Sequence, residues 1–328
     1  MYRTRISGIG SYLPEKRLTN QDLEKMVDTT DAWIFERTGM RARHVVADGE
    51  TNSDMGTQAA RRALEMAGLK PHDIDMIIYA TVTPDQVMPS AACFLQKKLG
   101  CRNVMAFDLN AACTGFLYGL SIANQYIRTG VHKNILVVGA EVLTKKLNYK
   151  DRETCILFGD AAGAAIASRA EEGSRGEILA EHLFAEGNLA ELLEWPAGGT
   201  NIPITHEVLD KGLHWMRMNG REIFKNAVRS MAGASRDALK SSGVKNEEVD
   251  WVIAHQANLR IIEAVAKNVG MPMDKFLLFI EDMGNTSAAT IPCTLDHAFR
   301  NGQVKRDQIL LLTAFGAGLT SGSLIVRF

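Results

Sequence analysis

The chain of 328 residues contains no Cys-x-x-Cys pair, and its five cysteines, Cys93, Cys101, Cys113, Cys155 and Cys293, are scattered and odd in number. This spacing excludes a disulfide framework and a zinc-binding pair, so no metal site is expected and reduced thiols in a cytoplasmic setting are. No apolar run approaches the roughly 18 residues of a membrane span, and the opening MYRTRISGIGSYLP lacks the apolar centre of a signal peptide, so no membrane partner is expected. An excess of positive charge is also missing. Lys+Arg number 37 and Asp+Glu 38, leaving a net charge of −1, which argues against nucleic acid as a partner. No Walker lysine follows the glycine-rich stretches, and none shows G-x-G-x-x-G spacing ahead of a helix. A bound nucleoside triphosphate or NAD is thereby disfavoured and no cofactor is expected. Paired carboxylates of the kind that cleave glycosides are not evident either.

What is present is a sizeable apolar fraction, 46%, and an internal repeat. ALEMAGLKPHDIDMIIYATV (63–82) matches ALKSSGVKNEEVDWVIAHQA (238–257), with Leu64, Gly68, Asp75 and Ile78 opposite Leu239, Gly243, Asp250 and Ile253. Each copy reads as a helix end, a glycine stop, a polar turn and a buried strand. KNILVVGA (133–140) echoes DQILLLTA (307–314) as a second pair of apolar strands. Between them CTGFLYGLSIANQYIRTG (113–130) lies opposite NTSAATIPCTLDHAFRNG (285–302), both rich in small residues at their starts. The order of these matches predicts an α/β chain built from two duplicated halves, 1–173 and 174–328. Their near-continuous apolar strands suit sheets covered on both faces. The two small-residue helices would meet near a pseudo-two-fold axis, where small side chains permit close approach.

That alignment makes Cys113 and Asn285 equivalent, each opening a central helix, and pairs His255 at a strand end with Ala80. Cys113 at the positive end of a helix is a candidate nucleophile, because such a position favours thiolate and leaves its own N–H free to face an oxyanion. Alone, it reads equally as a small buried cysteine. His255 alone reads as a structural histidine and Asn285 alone as an N-cap. Together, a neutral His Nε2–H and an Asn amide N–H are two uncharged donors able to share one oxyanion. The stretch AFGAGLTSG (314–322) predicts a tight turn whose backbone N–H near Ala317 completes a hole at Cys113. LFGDAAGAA (157–165) reads as a similar turn with a structural role.

DAWIFERTGMRARHV (31–45), PSAAC (89–93), AACTGF (111–116), HQANLRI (255–261), GNTSAAT (284–290) and FGAGLTSG (315–322) together closely resemble the β-ketoacyl-ACP synthase III family, over essentially the whole chain. The resemblance implies a thiolase-like fold, a layered αβαβα sandwich, and a decarboxylative Claisen condensation that initiates fatty acid synthesis. Acyl-CoA would load Cys113, and malonyl-ACP would then lose CO₂ with His255 and Asn285 stabilising the enolate. The backbone N–H groups of Cys113 and Ala317 would hold the second oxyanion. The resemblance also implies that Trp33 and Arg152 sandwich the adenine of coenzyme A, that Arg37 faces its phosphates, and that Gly220, Phe224 and Asn258 line the pantetheine tunnel. Arg221, Lys225, Arg260 and Lys267 would flank the tunnel mouth and steer an acidic carrier protein. A homodimer is expected, with Met88 reaching into the partner's acyl pocket and admitting chains longer than acetyl.

Two departures stand out. Ser321 replaces a common Trp, and Met88 replaces a common Phe. The same residue types leave other readings open: a homologue making a polyketide or quinolone precursor, a cysteine hydrolase of thioesters, and a non-catalytic module that binds acyl carriers. A thiolase fits less well, since Cys293 lies inside a helix rather than in a glycine-rich turn.

Overall fold

The computed structural model describes residues 1–170 and 176–328. Counting only the strands of its two large sheets, the first half contains β1 (Thr4–Tyr12), β2 (Met76–Ala80), β3 (Met105–Leu109), β4 (Asn134–Val142) and β5 (Asp160–Arg169), and the second contains β6 (Glu177–Ala185), β7 (Trp251–Ala254), β8 (Ile309–Gly316) and β9 (Thr320–Arg327). The helices packed on these sheets are α1 (Asn52–Ala67), α2 (Ala91–Leu99), α3 (Gly115–Arg128), α4 (Gly220–Ser242), α5 (Leu259–Val269) and α6 (Thr290–Arg300). The first sheet has the order β1-β5-β4-β2-β3 and the second β7-β8-β9-β6. The two orders correspond strand for strand. Only the counterpart of β3 is reduced, to a bridge from Phe276 to Val252 and one hydrogen bond, Leu277 N–H to Val252 O at 2.9 Å. The expected boundary between 173 and 174 lies outside the described residues.

The apolar runs are continuous because both sheet faces are covered. Every residue of β2 and of β4 is buried. Successive side chains alternate in direction. Leu136 and Val138 therefore join Ile77 and Tyr79 against Met55 and Ala59 of α1 and Leu95 of α2. Ile135 and Val137 point the other way, with Ile78, onto Phe116, Leu117 and Leu120 of α3. Leu310 and Leu312 of β8 meet the same central layer, which also takes Ile291 and Leu295 of α6. Leu311 faces outward to Met231 of α4 and Val265 of α5. The result is two duplicated α/β halves, as the repeat implied, in the five-layer αβαβα sandwich that the resemblance implied. Burying side chains of this size contributes about 1.5–3 kcal/mol each. No helix among the described residues is long and apolar enough to cross a membrane.

The duplication is visible in detail. Gly68 and Gly243 end α1 and α4 in the left-handed conformation, φ 66° and 73°. Each is followed by a short 3₁₀ turn, Pro71–Asp73 and Asn246–Glu248, before the next strand. The central helices, however, correct the expected equivalence of Cys113 with Asn285. Each is preceded by a 3₁₀ turn, Ala112–Thr114 before α3 and Ser287–Ala289 before α6. Ala112 (φ 45°) and Ser287 (φ 50°) share an uncommon backbone conformation. The turn bonds repeat as well, Thr114 N–H to Ala111 O and Ala289 N–H to Thr286 O. Cys113 therefore corresponds to Ala288, and Asn285 corresponds to Asn110. Matching small residues by composition shifted the alignment by three positions, nearly one helical turn, where helical periodicity cannot signal the error. The other correction concerns 157–165: Asp160 onward is strand β5, paired with β1 and β4, not a turn. Its small residues let α6 pack closely on the sheet, as Pro292 does against Gly163.

Candidate active site

Cys113 and, more than a hundred residues further along the chain, His255 and Asn285 line one cavity of about 650 Å³. Three loops bring them there. Cys113 sits in the 3₁₀ turn ahead of α3, 8% exposed. The end of β8 presses on this turn: a Cβ at Gly316 would stand 2.7 Å from the Cys113 nitrogen, so only glycine permits the approach. Thr320 Oγ1, 2.9 Å from Ala111 O and 3.0 Å from Thr114 Oγ1, ties the β8–β9 hairpin to the same turn. Ala317 stands in that hairpin turn and lines, with Cys113, a second cavity of about 300 Å³.

His255 follows β7, its N–H continuing the sheet to Thr313 O at 2.8 Å. The loop behind it is pinned by buried Gln256, which donates to Ala254 O at 2.7 Å and accepts from Phe279 N–H at 2.9 Å. His255 Nδ1 lies 2.7 Å from Thr290 Oγ1. Burial pushes the imidazole down to about 3, so the ring is neutral near pH 7. Asn285 is held by its backbone, its N–H on Leu157 O and its carbonyl accepting from Gly159 N–H, at 2.9 and 3.0 Å. Its side-chain oxygen accepts the Ser287 N–H at 2.9 Å. That bond fixes the amide's orientation and leaves the NH₂ as the end available to the cavity. Asn285 is thus no N-cap of α6; its side chain caps the turn before that helix.

The thiol differs from the expectation that a helix terminus would lower its pKa. Burial is the largest influence and pushes Cys113 up to about 12, against a hydrogen bond with Ser287. The terminal field falls off within a turn and acts here on a desolvated group, so desolvation wins. Ser287 Oγ in turn donates to Glu141 Oε1 at 3.1 Å. Glu141 is fully buried at the end of β4, also accepting from Thr81, Thr83 and Val82 N–H, and burial pushes it up to about 7. The sequence reading passed over Glu141, Ser287 and Thr290. The signal for Glu141 was available: it is a lone acid closing the apolar run NILVVGAEV, and a buried charge needs partners.

The large cavity opens toward Trp33, Arg37, Gly220, Arg221, Phe224 and Asn258. Trp33 lies on the short helix Asp31–Thr38, capped by Thr30. Arg37 and Arg152 both lie over its ring, with their guanidinium carbons 4.5 and 4.7 Å from the centroid. Arg152 also donates to Asp28 O at 2.8 Å. Asn258 caps α5, accepting from Arg260 N–H at 2.9 Å. Of the cations expected at the mouth, Lys225 pairs with Glu222 at 2.7 Å and Arg260 with Glu36 at 3.4 Å, while Lys267 is exposed in the last turn of α5. Met88 is 83% exposed on the segment before α2 and lines neither cavity. Ser321 is buried and borders, with Phe315 and Leu319, a separate cleft of about 190 Å³.

A duplicated five-layer fold with its reactive side chains on the loops where the halves meet defines a condensing enzyme of the thiolase-like class. Two models of one family match the chain, 3-oxoacyl-[acyl-carrier-protein (ACP)] synthase III over residues 107–187 and its C-terminal counterpart over 239–328. A β-ketoacyl-[acyl-carrier-protein] synthase III from Caldanaerobacter subterraneus is 50% identical over 98% of this chain and 97% of its own. The crystal structure of 3-oxoacyl-[acyl-carrier-protein] synthase III from Aquifex aeolicus is 47% identical, covers 99% of this chain and 100% of its own, and superposes with a TM-score of 0.92. A priming β-ketosynthase from the R1128 polyketide pathway is 32% identical, covers 99% of this chain and 96% of its own, and has a TM-score of 0.90. The chain belongs to the β-ketoacyl-ACP synthase III family, and it is an acyltransferase of fatty acid biosynthesis.

Proposed function

We propose that this chain joins an acyl-CoA primer to malonyl-ACP through an acyl-Cys113 intermediate, and that the large cavity is the channel for both pantetheine arms. The observation that carries this reading is the convergence of one thiol and two uncharged polar side chains at the inner end of a cavity. Trp33 at that cavity's mouth has the guanidinium groups of Arg37 and Arg152 over its ring. In the first half-reaction Cys113 Sγ attacks the thioester carbonyl, coenzyme A leaves as the free thiol, and the Cys113 proton is accounted for on it. In the second, malonyl-ACP loses CO₂ and the enolate oxygen is held by His255 and the Asn285 NH₂. The enolate carbon attacks the acyl-Cys113 carbonyl, the β-ketoacyl-ACP departs, and the thiol takes up a proton. Neutral donors suit this oxygen; each is worth roughly 3 kcal/mol in a site closed to water. Holding both partners on one covalent scaffold supplies the attack geometry. Coenzyme A thioesters enter as substrates, with no further cofactor.

The smaller cavity is the acyl chamber. Val82, Leu143, Leu193, Trp195 and Met216 give it apolar walls with Cys113 at one side, so it accepts chains longer than acetyl. The adenine of coenzyme A binds at Trp33 and Arg152, with Arg37 toward its phosphates. The acidic carrier protein approaches over Arg221, Lys225, Arg260 and Lys267. A homodimer forms along the outer edge of β3, which pairs with β2 alone among the described strands. Exposed Val87 and Met88 lie near that edge, since Asp108 of β3 accepts from Ala91 and Ala92 N–H. The five free thiols suit the reducing cytoplasm. Incubation with acetyl- to octanoyl-CoA and malonyl-ACP, read by intact mass, tests the scheme. It requires an acyl adduct lost in Cys113→Ser and β-ketoacyl-ACP as product. Free acid and coenzyme A without carbon–carbon bond formation would indicate a hydrolase instead.

A further inference from the structure

His255 presents two ring nitrogens to very different surroundings. Nδ1 faces Thr290 Oγ1 at 2.7 Å. The other ring nitrogen, Nε2, has no hydrogen-bond partner among the described residues, and the side chain lines the cavity. A neutral imidazole carries one proton, and which nitrogen holds it is set by the bond the other makes. Thr290 also carries a single hydroxyl proton, and it has two acceptors within reach: His255 Nδ1 at 2.7 Å and Ser287 O at 3.0 Å.

The backbone decides between them. Ser287 O already accepts the backbone N–H of Thr290 itself, the bond that closes the 3₁₀ turn. Its second lone pair could also take the hydroxyl, but the carbonyl stays satisfied when the hydroxyl turns away. Nδ1 has no other donor among the described residues. With the hydroxyl turned to Nδ1, the ring proton must sit on Nε2 and face the cavity. With the hydroxyl turned to Ser287 O, the proton would sit on Nδ1, and a bare lone pair would face any developing oxyanion.

We propose that Thr290 is a positioning residue that fixes His255 as the Nε2–H tautomer by donating its hydroxyl to Nδ1, and so makes His255 a hydrogen-bond donor to the enolate. The inference rests on the proposed condensation but concerns a proton that can be seen without turnover. It assigns Thr290 to the second half-reaction only. Attack by Cys113 on acyl-CoA does not need a donor from His255, whereas decarboxylation of the malonyl group does. The neutral state of the ring, held by burial, is what makes the choice of tautomer matter.

The test combines two readouts. Histidine labelled with ¹⁵N in the whole enzyme, with His255 identified among the eight histidines by comparison with His255→Asn, reports the tautomer directly. Nδ1 is expected to be unprotonated and Nε2 protonated; a protonated Nδ1 in the wild-type enzyme overturns the proposal whatever the kinetics show. Thr290→Val keeps the shape of the side chain and removes the hydroxyl. It is expected to acylate Cys113 from acyl-CoA at the wild-type rate and to slow discharge by malonyl-ACP by about 10- to 100-fold, less than the 10²–10³ lost when a donor is removed outright. Thr290→Ser restores both the rate and the tautomer. Unimpaired discharge in Thr290→Val, or no rescue by Thr290→Ser, counts against the proposal. If the wild-type enzyme forms no acyl adduct or no condensation product, the functional reading fails, and the spectrum still decides the tautomer.

Discussion

Asn110 and Asn285 stand at the same place in the two halves, each two residues before the start of the 3₁₀ turn that follows it, and they line different cavities. Asn285 lines the large one with His255, and Asn110 lines the small one beyond Cys113. A duplicated turn has thus been given two tasks. Asn285→Ala should slow discharge of acyl-Cys113 by about 10²–10³ while leaving its formation intact. Asn110→Ala should leave both half-reactions in place and change the order of preference among acyl-CoAs. Single-turnover mass spectrometry of the two variants separates the roles.

The apolar walls of the small cavity set a second prediction. Trp195 is the largest of its lining side chains. Trp195→Ala should raise kcat/KM for octanoyl-CoA relative to acetyl-CoA. Met88→Phe should move the ratio the other way if the partner's Met88 reaches the chamber. The competition of two primers in one reaction, read as product ratio, measures both. A Met88→Phe variant with an unchanged ratio would remove that residue from the chamber.

Binding at the mouth should separate from chemistry. Trp33 has both Arg37 and Arg152 over its ring, and a cation over an aromatic face contributes about 0.5–2 kcal/mol. Trp33→Ala should raise KM for acyl-CoA several-fold, to about tenfold, with kcat for the acyl-enzyme discharge unchanged. Arg152→Ala should raise it less. Steady-state kinetics against each substrate in turn provide the check.

Two buried groups give opposite pH signatures. Glu141 is raised to about 7. Its protonated form is favoured by the fold, so its contribution to stability is present below about 4.5 and is lost as pH rises through 7. The window spans on the order of 3 kcal/mol. His255 is depressed to about 3, so its contribution is present above about 6.5 and is lost as pH falls toward 3. Urea unfolding at a series of pH values should show the slope between 4.5 and 7 become more positive in Glu141→Gln, whatever the overall change in stability. The discharge rate should show no inflection near 6.5 that His255→Asn removes.

Much of this was legible in the sequence because the repeat is written in features with a fixed physical cause. A left-handed glycine ends both α1 and α4, and strands covered on both faces are mostly apolar, so Gly68, Gly243 and the strand runs 133–140 and 307–314 could be read directly. The register of the central helices could not. Small residues fill both turns, and the marker that aligns them is the backbone conformation of Ala112 and Ser287, which neither residue type advertises. The same limit hid Thr290 and Ser287, because a hydroxyl at a helix start reads as a cap until the imidazole or thiol beside it is known. The strand beginning at Asp160 was mistaken for a turn because its alanines and glycine are small to let α6 approach.

The account stands on the division of labour between Cys113 and the pair His255 and Asn285. The most direct measurement is a single turnover of His255→Ala, loaded with acyl-CoA and then mixed with malonyl-ACP, with enzyme and carrier weighed at successive times. The acyl mass should appear on Cys113 as in the wild-type enzyme and persist, with malonyl-ACP retaining its CO₂. Discharge at the wild-type rate, or failure to acylate in a folded variant, would contradict it.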